Sequence, residues 1–156
     1  MATNNIQQKL DELGLSFPPI CASKGIYKRC LTVGNFLFVS GHVSVGTDGK
    51  FMTGKVGVDV TEEEGKLAAR QCALSILHSV SNHLGGFEPL KRVVKIFGMV
   101  NAAPDYEKHA LIMNGCSELF VQLMGEENGI GVRSAVGMGS LPGNVAVEVE
   151  AMFELY

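Results

Sequence analysis

The sequence predicts an α+β fold, a sheet carrying two helices packed on one face. Three features point there: a C-terminal run that alternates with period two, two long stretches whose apolar residues recur at three and four, and an order that sets β-rich runs before, between and after them. In the last run Val145, Val147, Val149, Ala151, Phe153 and Leu155 take one side, while Ala146, Glu148, Glu150, Met152 and Glu154 take the other. A strand with one buried, largely β-branched face reads this way.

The remaining elements follow in chain order. Residues 5–13 read as a short helix with Ile6, Leu10 and Leu13 on one side and Gly14 able to end it, and Pro18 and Pro19 then force an extended connector. Two β-rich runs, residues 26–33 and 36–44, flank the Gly34-Asn35 pair and predict a hairpin. A turn at residues 47–50 leads to a third short strand before Asp59. Thr61 followed by Glu64 is a capping box that opens a helix over 61–84, stopped by Gly85. Its stripe is Ala69, Cys72, Ala73, Ile76, Val80 and Leu84; Leu67 and Leu74 fall outside it, as misfits or as contacts to another subunit. Residues 90–100 form a buried strand, apolar enough for both faces to be covered, and Pro104 opens the second helix. That helix has the stripe Tyr106, Ala110, Met113, Ser117, Phe120 and Met124 and ends before a loop at 125–131. LPGN at 141–144 makes a turn, so residues 133–138 and 145–155 are expected to pair as a final hairpin that brings Arg133 near carboxylates on the face away from the core.

At 156 residues the chain suits one domain spanning 1–156, with residues 1–20 as N-terminal helix and connector. A net charge of −3 gives no electrostatic reason to expect a nucleic-acid surface, and the eight Phe sit mostly in apolar runs such as residues 36–38. Cys21, Cys30, Cys72 and Cys116 lie far apart without a CxxC and without histidines at ligand spacing, so they read as free thiols in a reducing, cytoplasmic setting, and no metal is expected. The N-terminus lacks a signal-peptide pattern, and no run reaches the ~18 apolar residues of a membrane span. His42, beside Gly41 on a predicted strand, reads either as a core histidine bonded to backbone or as a ligand contact; His78, His83 and His109 read as structural. GMGSLPG lacks phosphate-loop spacing, and no Ser/His/Asp set carries a nucleophile signature.

Four pieces, VGNFLFVSGHV, TGKVGVDVTEEEGKLAARQCALSIL, RVVKIFGMVNAAPDYEKHALIMNG and VRSAVGMGSLPGNVAVEVEA, together resemble the YjgF/RidA family, also called the L-PSP endoribonuclease family, over nearly all of residues 34–155. The segment around residues 53–65 and the added N-terminal helix look like a less characterised branch of it. The resemblance implies a chorismate-mutase-like fold, a homotrimer with sites between subunits, no metal or organic cofactor, and hydrolysis of imines and enamines such as 2-aminoacrylate to keto acids and ammonia. By the same resemblance Arg133 clamps the substrate carboxylate, a task suited to a planar fork that keeps its charge, and Glu148 positions the attacking water. Tyr27 and Asn114 match pocket residues, and the Ala135 carbonyl matches the group that binds the imine nitrogen. Three departures bear on the substrate: Ala135 stands where many members have Cys, His42 where Gln is usual, and Lys28-Arg29 follow Tyr27, two added cations that favour a larger or more acidic ligand. Glu148, Arg133, Tyr27 and Asn114 also have bland readings as solvated, ion-paired or intersubunit polar residues. Two other functions stay open: a chaperone-like trimer that binds small carboxylates without turnover, and the ribonuclease or translation-inhibitor activity that the family name carries.

Overall fold

A computed structural model describes residues 5–156. The described elements are helix α1 (Ile6–Glu12), strands β1 (Cys30–Val33) and β2 (Phe36–Val43), helix α2 (Glu62–Leu84), strand β3 (Leu90–Asn101), helix α3 (His109–Gly129), strand β4 (Val132–Met138), a 3-10 turn at Pro142–Asn144, and strand β5 (Val147–Leu155). The five strands form one mixed sheet in the order β1-β2-β5-β3-β4, in which only β3 and β4 run parallel. This is the α+β, chorismate-mutase-like arrangement, with α2 and α3 on one face.

The local signals work as their chemistry predicts. Thr61 accepts from the Glu64 amide and Glu64 reaches back to the Thr61 amide, so both halves of the capping box form, and the Thr61 bonds hold the Glu64 carboxyl below the usual range. Gly85 closes the helix with φ +75. Gly34, at φ +59, turns β1 into β2 with Val33 facing Phe36. Along β5, Val147, Val149, Ala151, Phe153 and Leu155 are buried beneath the helices, and Phe153 meets Phe120 of α3 edge-on at 5.7 Å. Each fully buried aromatic or leucine of this kind contributes ~1.5–3 kcal/mol.

Five expectations are corrected. β4 and β5 are not a hairpin: β4 pairs with β3, and β5 inserts between β2 and β3. The LPGN turn does form, with Gly143 and Asn144 at φ +63 and +57, but its flanks are long enough to carry the chain past β3. β1 starts at Cys30 instead of residue 26, because Ile26 and Tyr27 are solvent-exposed and Lys28 and Arg29 precede the ladder. The third strand before Asp59 reduces to isolated bridges such as Thr53 to Val145. Pro104 lies in a turn closed by the Tyr106 amide on the Ala103 carbonyl, α3 begins at His109, and it continues past a break at Gly125 (φ +78) where a loop was expected. Leu74 is buried, because α2 is covered by α3 as well as by the sheet, whereas Leu67 is 55 % exposed.

β3 alternates more than its apolar composition suggests: Val93, Ile96 and Val100 are buried, while Phe97 and Met99 are half-buried on the open face. With Leu31, Phe38, Met152 and Val136 they leave an apolar sheet surface uncovered by the chain's own helices. No helix among the described residues is long and apolar enough to cross a membrane.

α2 and α3 approach closely because glycines stand at their crossing. A Cβ at Gly115 would overlap the Lys66 carbonyl oxygen, and one at Gly65 would stand 2.9 Å from Ile112 Cδ1. Backbone cannot yield as a side-chain end can. Gly115→Ala is therefore expected to cost about 1–3 kcal/mol of unfolding free energy, typical of overpacking; a denaturant midpoint equal to wild type would refute this close approach.

Candidate functional site

The β2–β5 ladder slips register between Val39 and His42, leaving Ser40 and Gly41 as a bulge. Glu148 of β5 leans across it on the open face, and a Cβ at Gly41 would overlap its carboxylate. A cleft of about 560 Å³ opens there, lined by Pro19, Tyr27, Arg29, His42, Ser79 and Glu148 among others. The connector after α1 thus supplies one wall. Burial raises the affinity of the Glu148 carboxyl for a proton, and the nearby Glu150 carboxylate raises it further.

His42 is 5 % exposed and fully engaged: Nδ1 donates to the Ser40 carbonyl at 2.7 Å, which leaves Nε2 to accept from the Ser79 hydroxyl at 2.8 Å. Burial, more than the nearby Arg29 charge, lowers its pKa, offset in part by the Ser40 bond. The neutral ring shapes the wall and adds no charge. His78 donates to the Pro18 carbonyl and stacks on Phe17, fixing the connector against α2, while His83 bonds Thr32.

Arg133 lies elsewhere. On β4 it sits opposite Ile96, on the helix side of the sheet, where Nη1 donates to Asn114 Oδ1 at 2.9 Å and to Ser117 Oγ at 3.0 Å, and Nη2 donates to the Ala110 carbonyl at 3.3 Å. These acceptors come from successive turns of one face of α3. A groove of about 440 Å³ runs beside it, bordered by Ser117, Gln122 and Ile130. Ala135 follows two residues on, opposite Gly98 and half-buried against the core, on an edge strand.

Thus Tyr27, His42 and Glu148 share one cleft at the β2 bulge, with Glu148 on the open face and His42 on the helix side, whereas Arg133, Asn114 and Ala135 cluster on the helix side beyond β3. The expected approach of Arg133 to Glu148 across a hairpin does not occur, because β3 lies between their strands and alternation sends them to different faces. Of the two added cations, Arg29 lines the cleft, whereas Lys28 borders a separate open-face groove with Lys95 and Phe38.

Several contributors lack a motif. Ser117 is visible as a hydroxyl within an apolar helical stripe three residues after Asn114; Gly41 and Ser79 act through a bulge and a helix that meet only in the fold. The rim is fastened by Lys55, which donates to Asn101 Oδ1 at 2.7 Å and to the Gly139 carbonyl at 2.9 Å, while Asn101 donates to Asn144 Oδ1 at 3.1 Å. Cys30, Cys72 and Cys116 are buried, and burial pushes their thiols up, to about 11 for Cys30 and about 12 for Cys116. Among the described residues no three His, Cys, Asp or Glu side chains converge as metal ligands.

A family profile described as "YjgF/chorismate mutase-like, putative endoribonuclease" matches residues 7–153. Protein TCP17 of Trypanosoma cruzi is 37% identical over 155 residues, covering 99% of this chain and 97% of that protein. The crystal structure of Atu1372 from Agrobacterium tumefaciens, a protein of unknown function, is similar at 36% identity, with a TM-score of 0.88 over 99% of this chain and 95% of that one. The Escherichia coli YjgF structure is similar at 25% identity and a TM-score of 0.57, over 88% and 92% of the two chains.

The seating of Glu148 over Gly41 is testable without a substrate. Gly41→Ala should leave the fold intact, since only a side-chain end must move, but push the carboxylate into water and remove part of the burial that raises its pKa. A side-chain NMR titration should then give Glu148 a lower pKa than in wild type; an unchanged or higher value would contradict the geometry.

Proposed function

The chain belongs to the YjgF/chorismate-mutase-like family, and from that premise we propose that it hydrolyses small carboxylate-bearing imines and enamines, such as 2-aminoacrylate, to keto acids and ammonia, at clefts shared between the subunits of a homotrimer. The observation that carries this reading is the state of Arg133. Its guanidinium is held by three neutral acceptors, and among the described residues no carboxylate pairs with it. A charge anchored but not neutralised suits an anionic ligand. The apolar open face of the sheet supports burial against neighbouring copies, and four unpaired thiols suit a reducing cytoplasm.

The chemistry asked of the site is modest. The enamine gains a proton at carbon and loses one from nitrogen to become an imine, which hydrolyses in water unaided. Arg133 would grip the carboxylate, and the Ala135 carbonyl would accept from the imine N–H. Glu148 would take a proton from a water as its oxygen bonds to the imine carbon and return it to the nitrogen, giving a carbinolamine; it would then pass the carbinolamine hydroxyl proton to that nitrogen as the C=O forms, the C–N bond breaks and ammonia leaves. A proton affinity raised above that of a free carboxylate suits both halves of this exchange. Asn114 acts through Arg133 as a positioning residue, and Tyr27 and His42 line the pocket. A net charge of −3 offers no support for the endoribonuclease in the family description.

Because Arg133 and Glu148 lie on opposite faces of one sheet, each site needs one from each of two neighbours. Arg133→Ala and Glu148→Gln should each abolish most pyruvate formation from 2-aminoacrylate supplied by a serine dehydratase. When the two chains are co-assembled, about a quarter of the sites should regain both groups and their activity. No recovery in mixed assemblies would rule out a shared site, and no acceleration by wild type would rule out deamination. If Glu148→Gln retained carboxylate affinity in a protein that never turned over, the non-catalytic carboxylate-binding reading would replace this one.

A pH profile adds a second check. Glu150 helps to raise the Glu148 pKa, so Glu150→Gln lowers it. If ionised Glu148 is the base, activity falls as pH drops through that pKa, and the acidic limb of kcat should move to lower pH in the variant. A limb that stays fixed would remove Glu148 from that role.

A further inference from the structure

We infer that Arg29 forms a second anion-binding point in the Glu148 cleft, and that the substrate is an imine bearing a second acidic group, of the kind made by oxidising a dicarboxylic amino acid. The turnover half of this inference rests on the deaminase reading; the binding half does not.

Arg29 lines the same cleft as Tyr27 and Glu148 and is half-buried. A guanidinium offers five N–H donors. That of Arg29 donates to the Cys21 carbonyl, and no described carboxylate pairs with it. A partly desolvated cation without a counter-ion is costly unless something anionic completes it. Its placement is also fixed: the Arg29 carbonyl accepts from the Ser40 amide at 2.9 Å, so the residue is bolted to the bulge that seats Glu148 over Gly41. A preorganised cation loses little freedom on binding.

The Ser75 hydroxyl is buried, lines the cleft and has no hydrogen-bond partner, one helical turn before the Ser79 that holds His42. A three-carbon imine occupies a small part of about 560 Å³ and has one carboxylate, which Arg133 of a neighbour takes. The acidic side chains in the cleft, Glu148 and Glu150, lie on β5, and Arg29 and Lys24 come from the connector side, so charge is divided across the cleft. An acidic arm pointing towards Arg29 meets a cation, and the reacting carbon stays towards Glu148.

The test compares ligands that differ by one carboxylate. By calorimetric titration wild type should bind succinate more tightly than propionate, and Arg29→Gln should reduce that preference about 10- to 100-fold, with Arg29→Lys between the two. Equal weakening of both ligands, or no change in the ratio, would overturn the subsite. In turnover, the imine made by an aspartate oxidase should be hydrolysed with a higher kcat/KM than 2-aminoacrylate, and Arg29→Gln should lower that ratio. If neither imine is hydrolysed but the succinate preference depends on Arg29, the deaminase reading fails and the subsite stands. If both are hydrolysed in a ratio indifferent to Arg29, the subsite fails and the deaminase reading stands.

Discussion

Period-two geometry in the sheet is the constraint on which the rest depends. A strand must send successive side chains to opposite faces, and lateral partners share a face. On β5 this places Val147 and Val149 against the helices and Glu148 on the open side. On β4, locked to β3 through Ile96, it turns Arg133 towards α3. One chain therefore holds the Arg133 guanidinium and the Glu148 carboxylate on opposite faces, where it cannot bring them together. Its open face carries Phe38, Phe97, Met99 and Met152, which gain by burial against a neighbour. The apolar open face and the separation of Arg133 from Glu148 arise from the same alternation.

Missing side chains position the ones that matter. Gly41 leaves room for Glu148 to lie across the bulge. Gly115 lets α3 settle against the backbone of α2, and its chain neighbour Asn114 and the nearby Ser117 then reach the Arg133 guanidinium within 3.0 Å. The helix crossing and the seating of Arg133 are thus one arrangement. Packing acts on the site here through backbone separation, where a single methyl is felt because the interior has no slack to absorb it.

Most of the fold was legible in the sequence, because its signals are local. The capping box at Thr61 and Glu64, the Gly34 turn and the alternation of β5 each depend on a few neighbouring residues. Strand partnership was not legible. Alternation fixes which face a residue takes but not which strand lies beside it, and the LPGN turn serves a crossing past β3 as well as it would a hairpin. α3 starts later than its sequence suggests because Pro104 fits both a first helical turn and the tight turn it occupies. Leu74 lay outside the stripe because one stripe describes a helix with one neighbour, and α2 has two. The candidate site residues are nameable through family resemblance and Ser117 as a hydroxyl in the α3 stripe, whereas Gly41 and Ser79 emerge only when distant segments meet.

The fastening of the rim by Lys55 has a consequence for selectivity. Its ammonium ties the Gly139 carbonyl to Asn101 at the end of β3, and Asn101 in turn holds Asn144 beside the Gly143 that borders the cleft. An ordered polar triad of this kind resists hinge motion on that side. The contour and charge of the mouth on that side are therefore set by the fold, through bonds that join the end of β3 to the turn before β5.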